Sequence, residues 1–246
     1  MTDLARRALA EAVGTGLLVT AVIGSGIMAQ RLSPGDVGLQ LLENSTATAF
    51  ALTVLILIMG PVSGAHFNPV VSLADWLLSR RDGLKGLVYL PAQVAGAIGG
   101  AVLANLMFEL PAITTSTHLR TGPALWLGEI VATAGLVTLI FALTRTGRAA
   151  LAPPAVGAYI GAAYWFTSST SFANPAVTLG RTLTDTFAGI APASAPGFIA
   201  AQLIGAGLGL ALVRLLYPAD PLPHLDRPED DRESHRSGQQ PQRPGR

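Results

Sequence analysis

The sequence predicts an all-α integral membrane protein with six transmembrane helices and two short re-entrant helices, arranged as two inverted repeats. Three observations carry this. Of the 246 residues 50% are hydrophobic and only 13% charged, against roughly a quarter charged in soluble domains. Six stretches are each long enough to cross a hydrocarbon core of about 30 Å at 1.5 Å per helical residue. A short pattern built on Asn-Pro occurs twice, at matched places in the two halves of the chain.

Composition narrows the class further. The mean hydropathy is +0.47, and 27 Gly with 17 Pro in an aliphatic chain suit membrane helices, where both are commoner than in soluble ones. A formal charge of +1 without a basic stripe gives no nucleic-acid partner. The absence of Cys removes disulfides, thiolate catalysis and Cys-held metals. Residues 218–246 hold six Pro, six acidic and five basic residues with almost no large apolar side chains. Such a segment cannot bury enough surface to offset its ordering entropy, so a disordered cytoplasmic tail is expected there. Residues 1–217 form the membrane domain.

The expected spans are 7–29, 41–61, 86–110, 123–144, 150–168 and 195–217. The first has the look of a secretory signal, with Arg6 and Arg7 as its basic region, but Glu11 interrupts the apolar run and no small-residue cleavage site follows. Two more polar segments, beginning at Asn68 and Asn174, are about 12 residues each and too short to cross. With the N-terminus inside, Lys and Arg near the span ends divide eight inside to three outside. Positive loops stay in the cytoplasm, so both termini are placed there, in the plasma (inner) membrane.

The chain repeats itself around the short segments. Ser63-Gly64-Ala65-His66-Phe67-Asn68-Pro69-Val70 is answered by Ser171-Phe172-Ala173-Asn174-Pro175-Ala176, Glu11 by Glu129, and Gln93 by Gln202. Repeat boundaries of about 1–110 and 123–217 follow. Three spans per half is an odd number, so the second half enters the membrane from the opposite side. Asn caps helix N-termini and Pro suits the first helical position. Two half-helices therefore begin near mid-membrane with Asn amides facing each other, a donor-rich constriction that repels cations. Irregular backbone at that depth must line a water-filled path or be buried in protein.

With these motifs, residues 1–217 resemble the aquaporin and aquaglyceroporin (major intrinsic protein) family. The resemblance implies a tilted six-helix bundle with two half-helices, one pore per protomer, a homotetramer, no cofactor, and passive passage of small neutral solutes. Glu11 and Glu129 match carboxylates that accept hydrogen bonds from re-entrant backbone, a scaffold with Gln93 and Gln202; a proton relay is the other reading of buried span carboxylates. His66 matches a pore-lining His, or is a packed loop residue; no metal-ligand spacing surrounds it. Val70 replaces the usual Ala of the first motif.

The family's filter offsets give Thr48, Ala162, Ser171 and Val177 in this chain, with Val177 where Arg is usual. All four are small and uncharged, so a wide outer constriction without fixed positive charge is expected. Arg181, four residues beyond Val177, either reaches back to the filter as a displaced substitute, in a vestibule position, or snorkels at the outer surface. The second half also resembles bacterial aquaglyceroporins associated with arsenic resistance, which implies glycerol-like polyols and metalloid hydroxides, such as arsenite or methylated arsenicals, as solutes. A water-selective pore and a secondary transporter built on inverted repeats are the alternatives. An enzyme is not indicated, since no base, nucleophile and orienting group form a set.

Overall fold

Long aliphatic runs with no water to satisfy their backbone groups must close every hydrogen bond within the segment, and helices do so. The computed structural model describes residues 2–79 and 83–218. Its α-helices are α1 (Asp3–Leu32), α2 (Val37–Ser63), α3 (Pro69–Ser79), α4 (Gly83–Met107), α5 (Pro123–Arg145), α6 (Ala152–Phe166), α7 (Pro175–Gly180) and α8 (Ala195–Leu216). Five of them are long and apolar enough to cross a membrane. The sixth span is α6, lengthened at its start by a 3-10 turn over Ala149–Leu151. The expected tail from 219 onward lies outside the described residues, as do Arg80 and Arg81 of the orientation count.

Helix ends follow local chemistry. Thr2 caps α1 by accepting from the Ala5 amide, and Asp36 caps α2 by accepting from Leu39. Gly64 ends α2 in the left-handed conformation at φ +94°, where a residue without Cβ is unstrained. Pro123 opens α5 at a position that needs no amide hydrogen.

Small residues set the packing. Gly96 and Gly100 of α4 bring that helix onto α1 so closely that an added Cβ would stand 2.1 Å from the Ala12 and Gly16 carbonyl oxygens. Gly205 and Gly209 do the same for α8 on α5, at 2.5 and 2.7 Å from the Ile130 and Ala134 carbonyls. Lipid tails are as apolar as Leu, so helices in a bilayer associate by such close backbone approach. Helix α2 joins the halves by packing on both α1 and α6. Outward faces carry exposed apolar side chains such as Val54, Leu57 and Ile58 on α2 and Leu203, Ile204 and Leu208 on α8, a surface suited to lipid. The inverted repeats place α3 and α7 end to end in the interior, with one difference from the expected lengths: α3 has 11 residues, whereas α7 stops after six and relaxes into a 3-10 turn over Arg181–Leu183.

Candidate functional site: a pore between two half-helices

Each half-helix is held at its N-terminus by its own Asn. Asn68 Oδ1 accepts from the Val70 amide at 3.1 Å, and Asn174 Oδ1 accepts from Ala176 and Val177 at 3.0 and 3.2 Å. The amide nitrogens reach across the interior: Asn68 Nδ2 donates to the Ala173 carbonyl at 2.7 Å and Asn174 Nδ2 to the Phe67 carbonyl at 2.8 Å. Each carbonyl belongs to the residue preceding the other Asn, so the two loops are locked reciprocally. The loops share an unusual backbone, with positive φ at Ala65 and Phe67 in one and at Ser171 and Ala173 in the other. Such conformations persist only where the surroundings over-determine them.

Two fully buried carboxylates supply that determination. Glu11 accepts from the His66 and Phe67 amides at 3.0 and 2.7 Å and from Ser63 Oγ at 2.6 Å. Glu129 accepts from the Phe172 and Ala173 amides, both at 2.8 Å. Gln93 Nε2 bridges Glu11 to Ser72 on α3, and Gln202 Nε2 bridges Glu129 to Thr178 on α7. Hydrogen bonds to a carboxyl group from several fixed donors hold both partners in one geometry, which suits a fixed support for the loops.

A cavity of about 930 Å³ runs past these loops. It begins among Thr144, Arg145 and Ala149 at one end of the bundle, passes His66, Asn68 and Asn174, and reaches Thr48, Tyr164, Ser171, Phe172, Val177 and Arg181. His66 Nδ1 lies 3.0 Å from Ser72 Oγ and its ring meets Tyr89 edge-on. At its other end Thr48 Oγ1 and the Tyr164 hydroxyl are 3.3 Å apart, and Ser171 Oγ is buried without a protein partner. Arg181 is only 2% exposed; its guanidinium carbon sits 3.4 Å from the Phe172 ring centroid, and its Nε donates to the Ala188 carbonyl.

Beyond this level two connecting segments are stitched together. Thr114 and Ser116 amides donate to the Leu183 and Thr182 carbonyls, and Ala191 donates back to His118. Asp185 accepts from the Thr117 amide at 2.8 Å and from its hydroxyl, and these bonds hold its carboxyl below the usual carboxylate range.

A model of the family described as Major intrinsic protein matches residues 1–173. The chain belongs to the major intrinsic protein family. It is a passive membrane channel for small neutral solutes, multi-pass by its helices. It is 56% identical to aquaglyceroporin AqpS of Rhizobium meliloti (strain 1021), over 92% of this chain and 97% of that protein. The glycerol uptake facilitator protein of Pseudomonas aeruginosa is 34% identical over 85% and 87% of the two chains, and the propanediol uptake facilitator PduF of Citrobacter freundii is 32% identical over 87% and 93%. The X-ray structure of the aquaglyceroporin from Plasmodium falciparum superposes with a TM-score of 0.65 at 20% identity, over 85% of this chain and 95% of that one; the shared feature there is the fold.

Within this major intrinsic protein fold, the pore wall departs from the sequence expectation at the outer end. Thr48, Ser171 and Val177 line the cavity, but Ala162 faces outward and is exposed. Two residues along a helix is about 200° of rotation, so Ile160 and Tyr164 take the wall instead. The expected ring of small uncharged residues is therefore replaced by one that also holds a phenol and a buried guanidinium. Arg181 is not at the outer surface. Tyr164 and Phe172 were missed by offset counting. A signal for Tyr164 exists in the sequence: Pro153, Val156, Ile160 and Tyr164 all line the cavity and recur at helical spacing.

Proposed function

We propose that the channel passes uncharged hydroxylated solutes of polyol size and below, glycerol-like molecules, urea-sized amides and neutral metalloid hydroxides such as arsenite or methylated arsenicals, and that its selectivity is set by Thr48, Tyr164, Ser171, Val177 and Arg181. The observation that supports this is the burial of Arg181 in the cavity wall. Among the described residues only its Nε has a recorded protein acceptor. The guanidinium offers donors to solute oxygens while its charge repels cations. One helical turn earlier on the same half-helix, Val177 leaves room that a second long side chain would take. The Asn68 and Asn174 amides present further donors at mid-passage, and the Glu11, Glu129, Gln93 and Gln202 set acts as scaffold.

Stopped-flow swelling of proteoliposomes in water, glycerol and arsenite tests the reading. Arg181→Ala raises the glycerol-to-water permeability ratio several-fold, and Val177→Arg lowers it. If both variants insert normally and neither moves the ratio, the filter is elsewhere. A water-selective pore is the second reading, favoured by Tyr164 and Arg181 in one wall; rapid water flux with glycerol and arsenite excluded decides for it. Flux that follows a proton or sodium gradient decides for a coupled transporter.

The assembly follows the same reading: a homotetramer with one pore per protomer, no catalytic role, both termini cytoplasmic in a bacterial cell membrane, and residues 1–217 sufficient for conduction. Crosslinking to a four-chain limit, terminal reporter fusions and flux after removal of residues 218–246 check these points in turn.

A further inference from the structure

Arg120 lies in the connection between α4 and α5 and is outside the wall of the cavity. Both recorded hydrogen bonds of its side chain nevertheless go to the segment that holds the constriction cation. Nε donates to the Gly189 carbonyl at 2.9 Å and Nη2 to the Phe187 carbonyl at 3.2 Å, while its own amide donates to Ser194 Oγ at 3.0 Å beside the start of α8. Between the two carbonyls it grips is that of Ala188, the acceptor for Arg181 Nε. Both guanidiniums also lie on one ring, Arg181 at 3.4 Å and Arg120 at 5.4 Å from the Phe172 centroid.

Neither Arg has a carboxylate partner among the described ion pairs. A buried cation and a half-buried one near one ring repel each other, so fixed dipoles and the ring face must hold each in place. The planar fork of Arg120 suits this task, since it grips two carbonyls at once and leaves the one between them aimed at Arg181. The segment has little freedom to hold that aim otherwise. Its remaining recorded ties are the Phe187 amide to Gln30 Oε1 at 2.9 Å and the Gly189 amide to the Thr186 carbonyl at 2.7 Å. A side chain at Gly189 would collide with Ser116 Oγ and the Thr184 carbonyl, both 2.4 Å from an added Cβ.

We infer that Arg120 is a positioning residue for the constriction: it fixes the 187–189 carbonyls so that Arg181 stays over Phe172, and thereby sets solute selectivity without touching solute. This rests on the reading of Arg181 as the constriction cation. The test is a double-mutant cycle read as the glycerol-to-water permeability ratio in proteoliposomes. Arg120→Ala shifts the ratio in the direction of Arg181→Ala by about threefold or more, and adds little in the Arg181→Ala background, because coupled residues are not additive. Arg120→Lys, which keeps the cation and one grip, recovers part of the ratio. Arg120→Gln carries the same comparison if the alanine variant does not insert. An unchanged ratio at normal water flux, or an equal shift in both backgrounds, overturns the positioning role. If Arg181→Ala itself leaves the ratio in place, the filter reading fails; if it moves the ratio and Arg120 variants do not, only this inference fails.

Discussion

The two halves of the molecule use one device at the membrane centre and different devices beyond it. Around Asn68 and Asn174 the correspondence is nearly atom for atom: a Glu taking two consecutive loop amides, a Gln bridging that Glu to the half-helix, positive φ at the third and first residues before the Asn. One helical turn further the halves diverge. Helix α3 continues for 11 residues, while α7 ends after six and hands Arg181 to the pore. The two copies share a pair of locked loops at the centre, and they differ where the second ends its helix early.

The largest effect should come from removing the buried carboxylates. Glu11→Ala strands four donors, the amides of His66 and Phe67, Ser63 Oγ and Gln93 Nε2. Glu129→Ala strands three, the Phe172 and Ala173 amides and Gln202 Nε2. Each buried donor left unpaired costs about 1–3 kcal/mol, which consumes most of a typical stability margin. Both variants should lose monodisperse protein on detergent extraction, Glu11→Ala at least as severely. Collapse of the Glu129 variant beside a wild-type-like Glu11 variant breaks the correspondence.

Exchanging an Asn amide for a carboxylate comes next. Asn68→Asp and Asn174→Asp each delete one of the two reciprocal donors and set a carboxylate against the opposite carbonyl. Losing a buried hydrogen bond at about 1–2 kcal/mol makes a fall of roughly tenfold in neutral-solute flux reasonable, with a rise in cation leak as negative charge enters a donor-lined passage. Because the lock is reciprocal, the two variants should behave alike. A proton or sodium leak confined to one of them, measured with pH-sensitive and sodium-sensitive dyes in proteoliposomes, shows that the loops are not equivalent.

The equivalent parts were the legible ones. Asn, Pro, Glu and Gln recur in order because each does a job that few other side chains can do, so chemistry repeated in space is repeated in letters. The far constriction was legible only in part, for a geometric reason. Counting back from Asn174 assumes a fixed path between α6 and the second loop, and α6 presents Tyr164, not Ala162, to the cavity. Counting forward assumes that α7 stays α-helical. Once it tightens to a 3-10 turn at Arg181, the rise per residue grows to about 2 Å and the side-chain direction changes. No letter marks that transition, and the Ala188 carbonyl that accepts from Arg181 is a main-chain group invisible to a motif.

Helix crossing gives a graded contrast. A Cβ on Gly96 would lie 2.1 Å from the Ala12 carbonyl, but on Gly205 it would lie 2.5 Å from that of Ile130. The flanking threonines agree: Thr20 Oγ1 reaches the Gly100 carbonyl at 3.1 Å, Thr138 Oγ1 the Gly209 carbonyl at 3.5 Å. Overpacking costs about 1–3 kcal/mol, and the tighter first-half crossing should pay the upper end. Thermal unfolding in detergent should therefore rank Gly96→Ala below Gly205→Ala. The reverse order removes the claim that the α1–α4 crossing is the closer of the two.

The smallest effect concerns the one letter that differs inside the paired Asn-Pro motifs, Val70 against Ala176. Neither residue lines the cavity. Val70 is buried with Val137, Phe141, Leu210 and Val213 of α5 and α8, whereas Ala176 belongs to the larger core that includes Ala97 and Ala101 of α4. Val70→Ala removes two carbons from a packed site and should lower stability by roughly 1–2 kcal/mol at about 0.8 kcal/mol per buried carbon. Ala176→Val inserts the same volume beside small residues chosen for close approach, and should cost as much or more through overpacking. Neither should move the glycerol-to-water ratio, since the Asn caps are made through backbone amides that both residue types possess. A shift in that ratio for Val70→Ala, at unchanged expression, would mean that the first half-helix tunes the passage as the second does, and the division between a symmetric centre and a selective outer end would have to be redrawn.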